Sequence, residues 1–480
     1  MNILVLDTIH GGRTIAEYLT ASDCLCDTVD VYRHESGISE EEAVRNLTLK
    51  RYDFVCAPIH LSPEYCILKS AAAEGIPVLS HHEIVSLIVS GLSDADVNSE
   101  NAKPIIEITG TRGKTTTAYA LSHMLSHAVP TKPEIPPKNS RGNERGINER
   151  GINERGILHT SRETVAVPGG RILQKVSITP ASSVMPALYA LKNNLWLVAE
   201  ESLGVCGFGN LAVLTSTGDY LCADKKRSAL AVKLASMAEC QRILIGYGAD
   251  KRKVLETVES LPESKKIPAE RFFFATEIVT VEDGVCRCGG IGNGSVSGKG
   301  TAGFSEFSNP LLYLEGYRQA IATAAAAACI LGYNPECLSE FSSVPGRLSL
   351  TRDNGFTVID NSNSGTNRKT AVIAAEYARK IHSGGIILVI GIESETVCEG
   401  FSKEDVSSAI AEIKPEIAVV VGESLKAVVR EDFDNTIIYY ADNLESGRKV
   451  ALEIAAGSDC EQNTENNGIK AVILSVKTWR

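Results

Sequence analysis

Residues Ile105 to Thr117 read IIEITGTRGKTTT. The apolar run Ile105, Ile106 and Ile108 predicts a buried strand. It breaks at Gly110-Thr111-Arg112-Gly113, and a helix-compatible stretch opens at Lys114-Thr115-Thr116. Strand, glycine turn, Lys-Thr and helix make a phosphate cradle. Loop amides and the helix N-terminus face phosphate oxygens, the lysine neutralises charge, and a hydroxyl reaches Mg²⁺. The stretch therefore predicts a nucleoside triphosphate site built from Gly110, Thr111, Arg112, Gly113, Lys114, Thr115 and Thr116. The ordinary signature has a further glycine five residues before Gly113, where this chain has Ile108. A tight turn that happens to contain a lysine is the plainer alternative.

The chain has 480 residues, too many for one core, so several domains are expected. A composition 44% apolar and 22% charged is that of an ordinary globular protein. The net charge of −11 argues against a general nucleic-acid surface and against attraction to anionic membranes. With no run of 18 apolar residues, and with MNILVLDTIHGG reading as a first strand rather than a basic leader, a cytoplasmic protein is expected. It would be a monomer or homodimer. Thirteen cysteines are scattered without a Cys-x-x-Cys pair, which favours reduced thiols over a zinc site.

Three α/β domains are expected. Residues 1–100 alternate strands at Ile3 to Leu6, Val29 to Tyr32, Phe54 to Ala57 and Pro77 to Ser80 with helices, the pattern of a Rossmann-like parallel sheet. Residues 101–340 form the central phosphate-loop sheet. They carry a polar five-residue repeat, RGNERGINERGINERGI, inside an insert of about 131–160 that is expected to be disordered. The glycine-rich stretch Gly289 to Gly300 fits a hairpin loop better than a second phosphate site. Leu311 to Leu331 predicts a helix. Residues 341–480 again alternate and form a C-terminal Rossmann-like domain.

Beyond the loop, Trp196 to Ala199 predicts a strand ending in Glu200-Glu201-Ser202, where a nucleotide-bound metal ion would be held. A solvated strand-end carboxylate is the simpler reading of Glu200. A helix is expected to carry Lys225, Lys226, Arg227 and Lys233. Taken in order, Thr109-Gly-Thr-Arg-Gly-Lys-Thr115, Glu200-Glu-Ser202, Pro345-Gly346-Arg347 and Asp360 resemble the Mur ligase family, whose phosphate loop also lacks the first glycine. The resemblance covers most of residues 104–480. It implies three domains, ATP, Mg²⁺ and a carboxylate that is phosphorylated to an acyl phosphate before a nucleophile displaces phosphate. It further implies that Lys114 holds the β- and γ-phosphates and that Thr115 and Glu200 hold Mg²⁺. Gln319 stands where an asparagine binds adenine, and Arg347 and Asp360 meet the nucleotide from the last domain. Lys233 lies where many members carry a carbamylated lysine near the metal; an exposed helix lysine is the plainer alternative.

The chain also departs from that pattern. Where Asn-x-x-x-Asp-His is usual it has Ser216, Asp219 and Tyr220, which puts a second metal ion in doubt, and Asn361 to Gly365 replaces a common Tyr-Ala-His. Five of nine histidines, His10, His34, His60, His81 and His82, fall in the first 82 residues. The opening Leu-Asp-x-x-His-Gly-Gly and Val29-Asp-Val-Tyr32 resemble a methanogen branch of the family that acts on a nickel tetrapyrrole. That looser resemblance implies a propionate activated by ATP and a ring carbon as nucleophile, closing a carbocycle. His10, Gly11, Gly12, Arg13, His81 and His82 are then candidate substrate contacts. The histidines would be nickel ligands or donors to carboxylates, and Arg13 a carboxylate partner. If residues 81–82 are extended, only one of the two histidines can reach a ligand. His10 and Tyr220 are candidates for the base. An amide ligase using an amino acid or amine, and a catalytically dead ATP-binding scaffold, are the alternatives.

Overall fold

The structure is a computed structural model. It describes residues 1–93, 102–127, 154–289, 305–344, 346–353, 355–363, 365–393, 401–426, 433, 436–457 and 468–478. Most of the arginine–glycine repeat, residues 290–304 of the glycine-rich segment, Pro345 and Ser364 lie outside these.

Residues 1–93 build a parallel four-stranded sheet in the order Leu25–Val29, Asn2–Leu6, Phe54–Ala57, Val78–Ser80. The expected strand from Val29 to Tyr32 is corrected, because the strand ends at Val29. The Asp30 carboxylate accepts from the amides of Tyr32 and Arg33 at 3.2 and 3.0 Å and turns the chain. Residues 81–82 are helical rather than extended. The Ser80 hydroxyl accepts from the Glu83 amide at 3.2 Å and the Glu83 carboxylate from the Ser80 amide at 2.8 Å, a capping box that opens helix His81–Leu92.

The central sheet has eight strands, in the order Phe272–Phe274, Ile243–Ile245, Leu211–Leu214, Ile105–Thr109, Trp196–Glu200, Gly156–His159, Thr164–Val167, Arg171–Gln174. The first six are parallel, and the last two extend the edge as antiparallel hairpins. Ile105, Ile106 and Ile108 are almost wholly buried, each removing an aliphatic side chain from water for about 1.5–3 kcal/mol. The insert ends earlier than expected. Glu154 to Ile157, the last repeat unit, is folded: Ile157 is buried, Glu154 accepts from Arg171 Nε at 2.8 Å, and Gly156 lies so close to the Trp196 ring that no side chain would fit. Gly156–His159 pairs in parallel with Trp196–Glu200, so this segment belongs to the sheet.

The expected helix carrying Lys225 to Arg227 is also corrected. Leu221–Cys222 and Arg227–Ser228 form a small hairpin whose turn residues Ala223, Asp224 and Lys225 have positive φ. The helix begins only at Ala229, where Ser228 caps it, and carries Lys233. Val285–Cys288 and Ser305–Ser308, which flank the glycine-rich segment, pair antiparallel as a hairpin requires. The alanine-rich helix runs over Glu315–Leu331 after a short 3₁₀ turn at Pro310–Tyr313.

One apolar cluster runs from Ile3, Val5 and Ile15 through Ile84 and Val85 to Ile105, Ile157, Val184, Leu197 and Ala199. The first sheet and the central sheet therefore share a core, and the chain divides into two compact units, Met1–Phe341 and Ser342–Arg480. The second unit holds a six-stranded sheet. Ser349–Asp353 pairs antiparallel with Phe356–Asp360, followed in parallel by Ile469–Lys477, Gly385–Ile392, Ile417–Val421 and Ile437–Ala441. No helix among the described residues is long and apolar enough to cross a membrane.

Candidate active site

The strand Ile105–Thr109 lies between Trp196–Glu200 and Leu211–Leu214, where the order of a doubly wound sheet reverses and ligands gather at strand C-termini. Gly110 (φ +148°) and Gly113 (φ +82°) make the turn, and helix Lys114–His127 follows. A Cβ on Gly110 would fall 2.2 Å from Thr215 Oγ1. The loop is pinned from the neighbouring strand end. Ser216 Oγ accepts from the amides of Thr111 and Arg112, both at 3.0 Å, and Thr215 Oγ1 donates to the Arg112 carbonyl at 2.6 Å. Ser216 thus shapes the loop. Lys114 Nζ donates to the Gly110 carbonyl at 3.1 Å and lies 4.0 Å from Glu200 Oε1. Thr115 Oγ1 meets both Glu200 oxygens at 3.1 and 3.0 Å, and the Ser161 amide donates to Glu200 Oε2 at 3.2 Å. Glu200 is only 3% exposed, so it is a buried strand-end carboxylate rather than a solvated one. Thr116 is buried and Arg112 exposed.

Lys233 is buried too, at 2% exposure, and its Nζ has no hydrogen-bond partner. Burial, then the charge of Lys114, pull its pKa below the usual lysine value, and the Tyr220 ring centroid is 5.1 Å from Nζ. That lowering favours the neutral, nucleophilic amine, the form in which a lysine takes up CO₂. Asp219 is occupied by the amides of Tyr220 and Leu230, both at 2.9 Å, and by Ser228 Oγ at 2.8 Å, so its carboxylate braces the hairpin. Gln319, half-buried, sets its amide against Gly248, just past strand Ile243–Ile245.

Behind Glu200 lies a feature that the sequence reading did not single out. Glu107 and Glu201 meet in the core beside Cys206, their donor atoms within 4.8 Å of one another. Glu107 accepts from the amides of Gly207 and Gly209 at 2.8 and 2.7 Å, and Glu201 from the Cys206 amide at 2.7 Å. Burial pushes Glu107 up to about 7 and Glu201 well above the usual value. Two carboxylates this close in low dielectric hold a proton between them at neutral pH.

A cavity of about 380 Å³ opens on the other side of the same strand end. It is lined by His10, Tyr32, His60, His81, His82 and residues 58–59, 178–180 and 202–203. Both consecutive histidines reach it because the segment is helical. His81 Nε2 donates to the Leu6 carbonyl and His82 Nε2 to the Ser202 carbonyl, each at 3.0 Å, and burial lowers both pKa values to about 4. Both are therefore neutral. His82 Nδ1 is buried without a hydrogen-bond partner, an acceptor lone pair at the cavity wall. Gly11, Gly12 and Arg13 do not line the cavity. Gly11 packs on Thr179 and Ala181, Gly12 against the Asp7 carbonyl, and Arg13 is exposed. The turn that they form was expected to suit an anion. Its amides at Ile9 and His10 are instead taken by Asp7 Oδ1 at 3.1 and 3.0 Å. Asp7 and His60 are site residues that sequence reading missed. The strand-end position of Asp7 was a signal for the first, but nothing local marks the second.

In the second unit, Gly346 (φ +70°) turns under the loop that follows Asp360. Asn363 Nδ2 donates to the Gly346 carbonyl at 2.7 Å, and Asp360 Oδ1 accepts from the Ser362 amide at 2.9 Å. Arg347 follows Gly346, and Asp360 ends strand Phe356–Asp360, with the two segments tied by the Asn363–Gly346 hydrogen bond.

The family model described as coenzyme F430 synthetase CfbE, C-terminal domain, matches residues 350–460. The chain is 30% identical over 493 aligned positions to coenzyme F(430) synthetase of Methanosarcina acetivorans, covering 95% of this chain and 96% of that protein. Among solved structures it is similar to MurF from Acinetobacter baumannii, with a TM-score of 0.52 and 13% identity over 98% of this chain and 95% of that one. It is also similar to a UDP-N-acetylmuramoylalanyl-D-glutamyl-2,6-diaminopimelate–D-alanyl-D-alanyl ligase of the same organism, with a TM-score of 0.50 and 15% identity over 84% and 78%. These two likenesses are of fold.

Proposed function

Because the chain belongs to the coenzyme F(430) synthetase family of Mur-type, ATP-dependent ligases, we propose that it closes the carbocyclic ring of a nickel tetrapyrrole. A side-chain propionate of the seco-acid precursor attacks the γ-phosphate of ATP. ADP leaves, and a ring-system carbon displaces phosphate from the acyl phosphate to give a cyclic ketone. One carbon–carbon bond forms, one acyl C–O bond breaks, and the carbon's proton passes to a base. The observation that carries this reading is the full-length relationship to a protein named for that coenzyme.

The residues fit such a step. Lys114 sits at the helix start, where it would pair with the β- and γ-phosphates, and the loop amides from Gly110 to Gly113 would cradle them. Thr115 and Glu200 would hold Mg²⁺, which supplies neutralisation of the phosphate charge. They are hard oxygen donors already gathered at one strand end. The orphaned Nζ of Lys233 fits a carbamate beside that cation. Gln319 is proposed for adenine, and Arg347 and Asp360 as the second unit's nucleotide contacts. The cavity ends at Ser202, two residues after Glu200, which suits a substrate whose carboxylate lies toward the phosphate loop. His82 Nδ1 would accept a hydrogen bond from the substrate there, and His10 and His81 line the same cavity.

The test is to incubate the protein with Mg-ATP and the nickel seco-acid, following ADP and the visible spectrum. ADP release with a spectral change and no added amine is expected. A requirement for an amine, with the chromophore unchanged, would replace this reading with amide ligation. Absence of ADP formation with either acceptor would indicate a scaffold.

A further inference from the structure

We propose that Asp7, His10 and His60 form a binding site for a first-row divalent transition-metal ion at the mouth of the histidine cavity, separate from the nucleotide's metal. The carboxylate of Asp7 is wholly buried. Oδ1 accepts from the amides of Ile9 and His10 and also lies 3.1 Å from His10 Nδ1. Oδ2 faces two imidazoles, with His10 Nδ1 at 2.9 Å and His60 Nε2 at 3.5 Å. His60 Nε2 is itself buried and makes no hydrogen bond. Ligands about 2.0–2.1 Å from one ion stand roughly 2.9–3.4 Å apart in octahedral or tetrahedral geometry. The two Asp7–histidine separations are therefore at or just beyond coordination spacing, and all three donors lie within 4.8 Å of one another. The rings of His10 and His60 are perpendicular, with centroids 5.3 Å apart. Adjacent imidazoles on one ion place their centroids at about 5 Å, since each centroid lies about 3 Å from the metal.

Two imidazoles and a carboxylate on one face favour Zn²⁺, Co²⁺, Ni²⁺ or Fe²⁺ over Mg²⁺, and leave positions open to oxygen ligands. His10 and His60 are half and one-third exposed, so those positions face the cavity mouth. The proposal does not depend on which nucleophile attacks the acyl phosphate.

The full chain, stripped with chelator and held in excess Mg²⁺ to fill oxygen-only sites, is titrated with Co²⁺ and followed by its visible d–d bands. One Co²⁺ per chain is expected, without the near-ultraviolet thiolate charge-transfer band that cysteine binding would give. His60→Ala and Asp7→Asn should each weaken binding at least about 100-fold, since even outer-shell losses cost 10–100-fold. In Asp7→Asn the amide oxygen can still accept from Ile9 and His10, so the turn is kept. Circular dichroism checks that both variants fold. His34→Ala, an exposed histidine outside the trio, should bind as the parent does. The proposal is overturned if the parent takes up no Co²⁺, if its band is thiolate in origin, or if folded His60→Ala and Asp7→Asn bind as tightly as the parent.

Discussion

Asp7 to Arg13 and Thr109 to Lys114 each carry the chain from a buried parallel strand, through a glycine with positive φ, into a helix. Their electrostatic outcomes are opposite. In the first turn the strand ends in an aspartate, whose Oδ1 takes the amides of Ile9 and His10. The anion is built in, and what remains on offer is a carboxylate flanked by imidazoles. In the second the strand ends in Thr109-Gly110, and Ser216, a neutral hydroxyl from the next strand, holds only Thr111 and Arg112. Lys114 and the helix N-terminus would there meet the phosphate proposed for this turn. The residue at the strand end would thus set whether such a turn takes an anion from outside or a cation.

The comparison can be broken from either side. Lys114→Ala removes the lysine that stands at the start of the second turn's helix. ADP release should fall by about a thousandfold or more while the melting temperature stays close to the parent's; normal turnover would remove the phosphate site altogether. Asp7→Ala strips the first turn of its internal anion and leaves two amides without their acceptor. A loss of about 2–3 kcal/mol in urea unfolding is expected, and a loss below about 0.5 kcal/mol would mean that water replaces the carboxylate without cost. Ser216→Ala should be milder, costing about 1 kcal/mol and raising KM for ATP more than it lowers kcat.

The smallest effect concerns pH. Glu107 holds its proton more tightly folded than unfolded, its value being raised from 4.5 to about 7. A raised acid makes the native state bind more protons, so stability should fall as pH rises through that window. Thermal midpoints against pH should show this decline, and Glu201→Gln, which removes one acid of the pair, should flatten it.

Much of the proposed phosphate site is legible in sequence because it is local. Loop, lysine and threonine are contiguous, and Glu200 is marked by a strand ending in charge. The cavity is not local. Tyr32, His60, Thr179 and Ser202 converge only because the first sheet and the central sheet share a core. The helical state of His81 and His82 was written in Ser80-x-x-Glu83, a capping signature that the apolar run Pro77 to Leu79 obscured. The burial of Lys233 was hidden by its neighbours. Lys225 to Arg227 suggested a charged, solvent-facing helix, but those residues form a hairpin and leave Lys233 alone on the helix.

The three residues Glu200, Glu201 and Ser202 deliver to three places: the first side chain to Thr115, the second to Glu107, and the third, by its carbonyl, to His82. Anyone reshaping the cavity to accept a different molecule inherits that constraint. Enlarging it by moving His82 pulls on a peptide whose other attachments are Thr115 and the buried carboxylate Glu107. Changes of specificity are therefore best sought at Tyr32, Ile59 and Ile178, which line the same space but are not attached to that strand end.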